Sequence, residues 1–149
     1  MKKISKGFTL IEMLIVITII ALLASLILVG MGGARAKTRD ARRIADLHNV
    51  MNALELYYSK SYSYPDANNW DGLVEDLITG DIGVTRVPKD PLSDENYEYG
   101  VSDDNQDYVL KATLETEDHA LEDDIDDTVH GIDCGSGGSD TDDYYCIRP

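Results

Sequence analysis

The stretch Lys2-Lys3-Ile4-Ser5-Lys6-Gly7-Phe8-Thr9-Leu10-Ile11-Glu12 runs directly into an apolar block that ends at Val29. Phe8 to Val29 is apolar apart from Thr9, Glu12, Thr18 and Ser25. Twenty-two residues at about 1.5 Å each give roughly 33 Å of helix, enough to cross a hydrocarbon core. A core helix of a globular domain is shorter and shows a polar face. The block therefore predicts a membrane helix, and the chain around it is read as its leader and its cargo.

An ordinary secretory signal has a shorter apolar region and a small-residue cleavage site beyond it. Here the candidate Gly30-Met31-Gly32-Gly33-Ala34 follows an overlong region, so conventional cleavage is the alternative and retention the preferred reading. Lys2, Lys3 and Lys6 precede the block and Arg35, Lys37, Arg39, Arg42 and Arg43 follow it, so the positive-inside rule alone leaves orientation ambiguous. Cys134 and Cys146 resolve it. Behind a membrane-targeting start they read as one disulfide, which needs an oxidising compartment and places the C-terminal part outside the cytoplasm. The alternative is a pair of free thiols.

Beyond the glycines, Ile44, Leu47, Met51, Leu54 and Tyr58 recur in steps of three and four, with Arg43, Asp46, Asn49, Asn52 and Glu55 on other faces. No proline interrupts from Phe8 to Tyr64, and Ser61–Pro65 is the stop. One helix of about fifty residues follows, roughly 75–80 Å long, apolar all round in its first half and amphipathic in its second. Gly30, Gly32 and Gly33 are its weak point, at about 1 kcal/mol each in propensity.

Trp70, Leu73, Val74, Leu77 and Ile78 predict a second helix over 70–79, capped by Asn68 or Asn69 and stopped by Gly80. Tyr97, Tyr99 and Val101, then Tyr108, Leu110, Ala112 and Leu114, alternate as two strands joined by the polar Ser102–Asp107. Pro88 and Pro91 make Val87–Pro91 a rigid, exposed segment. Tyr144–Ile147 is a final edge strand, and the acidic 117–127 and Gly/Ser/Asp-rich 135–143 are loops.

The chain has 149 residues and a formal net charge of −15, unevenly spread. Eight Lys/Arg face two acids through Arg43, whereas five face twenty-six from Ile44 onward. Such a head repels phosphate, so direct nucleic-acid contact by its general surface is not expected. Nothing points to an enzyme: His48, His119 and His130 share no ligand spacing, and no phosphate-binding or nucleophile motif is present. Glu122–Asp127 lacks the glycine of an EF-hand loop. No cofactor is expected; a solvated acidic loop is the preferred reading, with calcium held by these carboxylates as the alternative. Glu12 needs a partner, since a carboxylate in an apolar helix costs a few kcal/mol without one. If the leader is cut after Gly7, the new amine of Phe8 supplies a cation near it.

Lys6-Gly7-Phe8-Thr9-Leu10-Ile11-Glu12 resembles the class III signal of type IV pilins and type II secretion pseudopilins. The resemblance implies that a prepilin peptidase cuts between Gly7 and Phe8 and methylates the Phe8 amine, and that Glu12 supports assembly. Pro88-Lys89-Asp90-Pro91 followed by Tyr97 and Tyr99 resembles the segment before the sheet in G-type pseudopilins, and Cys134–Cys146 the C-terminal disulfide loop of many pilins. Two features depart from the pattern. The proline often found midway along the membrane half of the helix is absent, and the glycine-rich calcium loop of G-type pseudopilins is not recognisable, so no calcium ligand is carried over.

The expected fold is α+β and pilin-like: a long N-terminal helix packed on a small antiparallel sheet. The expected parts are a leader (1–7), a membrane or filament-core half-helix (8–29), an amphipathic spine (30–64) and a globular head (65–149). The resemblance implies a structural subunit that polymerises with itself, with prepilin peptidase, a membrane assembly platform and minor pilins as partners. It implies a single-pass inner-membrane precursor and then a periplasmic or cell-surface filament. The competing reading is a solitary membrane-anchored binding module with an acidic head.

Overall fold

The computed structural model describes residues 7–67, 69–92, 97–116, 119–122, 124–125, 127–135 and 143–149; the side chains of 26–31, 119 and 122 are not described. The fold is α+β, with the expected long helix α1 at Leu10–Ser61. Two compact units divide the chain, the first ending at Arg35 and the second beginning at Ala36.

The first unit holds the start of α1. Its large apolar side chains from Phe8 to Leu23 are exposed in the isolated chain. Thr18 and Ser25 return their hydroxyls to the helix, donating to the carbonyls of Leu14 and Leu22 at 2.7 Å each. Among the described residues no helix is long and apolar enough to cross a membrane. The described side chains of the span expected at 8–29 end at Ser25.

The second unit carries the core. A second helix, α2 (Trp70–Thr79), matches the expected range and is capped by Asn69, whose side chain accepts from the Gly72 N–H. Asn68, the other candidate cap, lies outside the described residues. Gly80 ends α2 without entering the left-handed region; its φ is −65°. A glycine is needed there for space, since a Cβ would stand 2.9 Å from the Asp76 carbonyl and 3.1 Å from the Tyr57 ring on α1. The α1 helix stops at Ser61, slightly before the expected limit, because Tyr62 turns to φ 57°.

Strands β1 (Glu98–Val101) and β2 (Tyr108–Thr113) form the expected antiparallel hairpin. Two-residue strands β3 (Thr128–Val129) and β4 (Ile132–Asp133) make a separate small hairpin that was not foreseen. Strand β5 (Tyr144–Ile147) pairs antiparallel with β2, giving the order β1-β2-β5 with β5 at an edge as expected. A short 3-10 helix at His119–Glu122 lies in the region expected to be loop.

Leu47, Val50 and Leu54 of α1 share one core with Trp70, Leu73 and Leu77 of α2 and with Tyr97, Tyr99, Tyr108, Leu110 and Ala112 of the sheet. Aromatic rings tile it: Tyr64 lies 4.6 Å from Tyr108 edge-on, and Trp70 lies 5.2 Å from Tyr97. Tyr99 donates its hydroxyl to the Pro65 carbonyl and Tyr97 to Asp46, whereas among the described residues the buried Tyr108 hydroxyl and Trp70 indole N–H have no hydrogen-bond partner.

Strand β2 is covered on both faces. Its residues from Tyr108 to Ala112 are all buried. Val109 packs in a second cluster with Cys134, Cys146, Ile125, Val129 and Ile132. Lys111 is buried too, bonded to Glu98 at 2.8 Å and lying over the Tyr144 ring. The cover is the β3–β4 hairpin, the Cys134–Cys146 pair, Ile125 and the Tyr144 ring. At Gly100 of β1 a Cβ would meet the His130 carbonyl at 2.8 Å, so glycine lets that hairpin close down.

Cys134 and Cys146 are bonded, with Cα atoms 5.9 Å apart and twelve residues of sequence separation. A loop of that length stabilises by about 3 kcal/mol on the chain-entropy estimate. Replacing both cysteines by serine is expected to lower unfolding free energy by about that amount. In hydrogen exchange, amides of β3, β4 and β5 should lose protection while those of α2 keep it; a uniform loss would show that the bond holds more than this layer.

Candidate functional site

Two constellations stand out, one in each unit. The first is the start of α1. Thr9 precedes the helix, and its N–H and hydroxyl both donate to one carboxylate oxygen of Glu12, at 2.8 and 2.7 Å. The Glu12 N–H returns to the Thr9 hydroxyl at 3.3 Å. This is a reciprocal capping box, in which the acid satisfies donors that a helix start leaves open and sits at the positive end of the helix dipole. Glu12 thus has a partner in its own chain, which the sequence reading missed. The pattern Thr9-x-x-Glu12 ahead of an apolar run was its signal. Gly7 has open space around it, and Phe8 is 80% exposed. Gly7, Phe8 and Glu12 are therefore neighbours at an accessible helix start, followed by an exposed apolar surface.

The second constellation anchors α1 within the head. Asp40 is completely buried and Arg43 is 3% exposed. The Arg43 guanidinium donates from Nε and Nη2 to the two oxygens of Asp90, at 2.6 and 3.1 Å. From Nη1 it also reaches Asp40 at 2.7 Å and Glu115 at 2.6 Å. Asp40 in turn accepts from the backbone N–H groups of Glu115 and Thr116 and from the Thr116 hydroxyl. Arg39 completes the cluster by pairing through two nitrogens with Glu115. One helical turn is thereby tied to the chain leaving β2 and to the segment between Pro88 and Pro91.

The assignment of Arg43 to an exposed basic flank, and to a polar face of the spine, is corrected here. Asp40, Arg43, Leu47, Val50 and Leu54 are all buried and recur in steps of three and four. The buried stripe thus begins with an ion pair and continues with aliphatics. Of the seam expected from the sequence, Leu47 and Leu54 are fully buried, while Ile44, Met51 and Tyr58 are half-buried.

The electrostatics follow the geometry. Hydrogen bonds from Arg39 and then Arg43 hold the Glu115 carboxyl at about 2, well below its ordinary value. Hydrogen bonding to Asp90 is the largest cause raising Arg43, with Glu115 and Asp40 adding to it against the cost of burial. Burial pushes the phenols of Tyr97, Tyr99 and Tyr108 upward.

The histidines are not brought together. His48 is exposed on α1 with Tyr145 Oη 3.4 Å from its Nε2, and His130 pairs with Asp107 at 2.9 Å. The side chain of His119, and residues 123 and 126 of the acidic run, lie outside the described set. Among the described residues no group of three His, Cys, Asp or Glu is placed to hold a metal ion.

Residues 2–28 match the family model described as the prokaryotic N-terminal methylation motif. The chain is 32% identical over 95 residues to the type II secretion system core protein G of Escherichia coli (strain K12), covering 58% of this chain and 66% of that protein. Against the core protein G of Vibrio cholerae the identity is 30% over 112 residues, covering 66% of this chain and 74% of the relative. Against the type IV wide pilus major component PilA4 of Thermus thermophilus it is 42% over 60 residues, covering 40% and 46%. No solved structure matches the chain significantly.

The buried cluster makes two checkable statements. Asp40→Ala removes one of the three carboxylates around Arg43 and leaves the Glu115 and Thr116 N–H groups and the Thr116 hydroxyl without their acceptor, and should cost about 3–5 kcal/mol in chemical denaturation, against less than about 1 kcal/mol for Arg39→Ala at the rim. Glu115 is depressed in the folded state, so its contribution is complete above its ordinary value of 4.5 and is lost as pH falls toward about 2. The melting temperature should therefore drop through that window, and Glu115→Gln should flatten the drop.

Proposed function

The chain belongs to the type IV pilin and type II secretion pseudopilin superfamily and is a structural subunit of that kind; from this premise we propose how it is matured and assembled. A prepilin peptidase cuts between Gly7 and Phe8 and methylates the new Phe8 amine. Before assembly the precursor sits in the inner membrane through residues 8–29 with its head outside the cytoplasm. A membrane assembly platform then draws subunits into a helical filament, joined by minor subunits of the same family.

The observation that carries this reading is the start of α1. The cut site is accessible, the acid is already turned to the mouth of the helix by Thr9, and the apolar side chains from Phe8 to Leu23 are exposed and in need of cover. Burying such surface against other stems contributes at about 25 cal/mol per Å², less what lipid already supplies. Non-directional burial does not fix register. Glu12 does, by accepting the Phe8 amine of a neighbouring copy beside the Thr9 bonds it already holds. The role is structural, with assembly in place of turnover.

Within the superfamily we assign the chain to a secretion pseudopilus. The match to core protein G of Vibrio cholerae covers 112 residues and so extends past α1 into the head, whereas that to the pilus component PilA4 covers 60. Loss of the chain should then block export of secreted proteins. A cell that still secretes but loses surface filaments would favour a pilus.

Intact-mass analysis of the membrane-held protein should show a chain beginning at methylated Phe8. An intact Met1, or cleavage beyond Val29, contradicts the maturation. Glu12→Ala should be processed normally yet reduce polymer at least tenfold; wild-type polymer from that variant removes the role given to Glu12.

A further inference from the structure

The three-stranded sheet has two edges, β1 and β5, and they are finished differently. At β5 the outward backbone groups of Cys146 are in use, its N–H donating to Asp124 at 3.1 Å and its carbonyl accepting from the Ile125 N–H at 3.4 Å. At β1 the frame is set by the Ser102 N–H, which donates to the Asp107 carbonyl across the turn at 2.9 Å. Two steps further along the register, Gly100 with Val109 and Glu98 with Lys111 are then the pairs that bond β1 to β2. Tyr99, between them, turns its backbone N–H and carbonyl away from β2. Among the described residues neither group forms a hydrogen bond, although Tyr99 is only 3% exposed. Backbone donors and acceptors so nearly out of water are rarely left unpaired.

A groove of about 330 Å³ lies at this edge, lined by Asn69, Trp70 and Asp71 at the start of α2, by Ile132 of β4, and by Tyr97 to Tyr99. Trp70 brings a further open donor, its buried indole N–H, which has no partner among the described residues. The charged residues that line the groove are both acids, Asp71 and Glu98, and both are exposed. Glu98 gives Oε1 to Lys111, and its Oε2 forms no bond among the described residues. The edge is also held ready. Tyr99 is tied by its hydroxyl to the Pro65 carbonyl and Tyr97 to Asp46, so little ordering is left to be done when a partner arrives.

We propose that this groove is a strand-addition site, taking an extended segment of a different polypeptide in which lysine or arginine alternates with apolar residues. The segment's main chain bonds the outward N–H and carbonyl of Tyr99, which supplies affinity that any sequence can provide. Selection comes from its alternate side chains. Those on the face shared with Glu98 meet a carboxylate and call for a cation, and those on the opposite face meet Trp70 and Tyr97 and call for an apolar group. A second copy is a poor source of such a segment. From Ile44 onward the chain has five Lys/Arg against twenty-six acids, and no two of the five stand two residues apart. Strand addition at β1 holds whether or not the stems polymerise.

Trp70 is the one tryptophan of the chain, so its fluorescence reports on the groove. The full chain in a zwitterionic detergent is titrated with acetyl-Val-Lys-Val-Lys-Val-amide and with acetyl-Lys-Val-Lys-Val-Lys-amide, which cover both registers. At least one should give a saturable change in Trp70 emission and slow the exchange of the Tyr99 amide. N-methylating that peptide along one edge should weaken binding at least tenfold, and along the other edge hardly at all, since only one edge of an added strand faces β1. Exchanging its lysines for glutamate should abolish binding. These changes leave the protein untouched, so a loss of fold cannot imitate them. On the protein side, Asp71→Asn/Glu98→Gln should weaken the lysine peptide at least tenfold. No saturable change with either peptide up to about 1 mM overturns the proposal. So does equal tolerance of methylation on both edges, or binding of the glutamate peptide. Trp70 emission that follows protein concentration and ignores the peptides would show a second copy in the groove, and overturns it as well.

Discussion

The head depends on a guanidinium held out of water. Arg43 is 3% exposed and faces three carboxylates, one from its own helix, one from the segment between two prolines, and one from the chain leaving β2. Removing charges from water costs several kcal/mol per ion, and the cost is recovered only when every donor is satisfied with good geometry. Here the bidentate pair with Asp90 and the bonds to Asp40 and Glu115 give four of the five guanidinium N–H donors a carboxylate oxygen, which recovers most of that cost. Apolar packing of Leu47, Val50 and Leu54 against the sheet supplies the bulk of the burial but tolerates sliding. The ion cluster does not, and it sets the register of α1 against the sheet. The same cluster fixes Asp90 and thereby the loop that carries Arg86 and Lys89.

Much of this was legible beforehand. The α2 helix was read at its observed limits because a three-four apolar repeat, an asparagine cap and a stopping glycine all agreed. The β1–β2 hairpin was read because aromatic residues alternate on both sides of a polar connection. The missed parts share a cause. Arg43 was placed on a polar face because charge usually goes to water, and a lone sequence does not reveal that Asp90 and Glu115 will meet it from 47 and 72 residues away. The β3–β4 hairpin was missed because strands of two residues carry no period, and its presence explains why both faces of β2 are dry.

The start of α1 was legible in part. Leader, glycine, phenylalanine and glutamate were recognised, and Glu12 was seen to need a partner. Thr9 was not recognised as that partner, although the spacing of three is that of a capping box. The consequence is physical: the acid is held at the helix mouth before any neighbour arrives, so meeting an amine there needs no rearrangement of the side chain. In the assembly proposed above, the same carboxylate serves first as the cap of its own helix and then as the acceptor of a neighbour's amine.

The central claim is that this chain is built to polymerise through its stem while its head stays in water. A helical reconstruction of filaments purified from cells making the full chain tests it most directly. The account predicts density beginning at Phe8, stems packed along the axis with each Glu12 beside a neighbour's Phe8 amine, and heads outside with Arg43 still enclosed by Asp40, Asp90 and Glu115. Density preceding Phe8, heads packed at the axis, or stems that do not touch would contradict it.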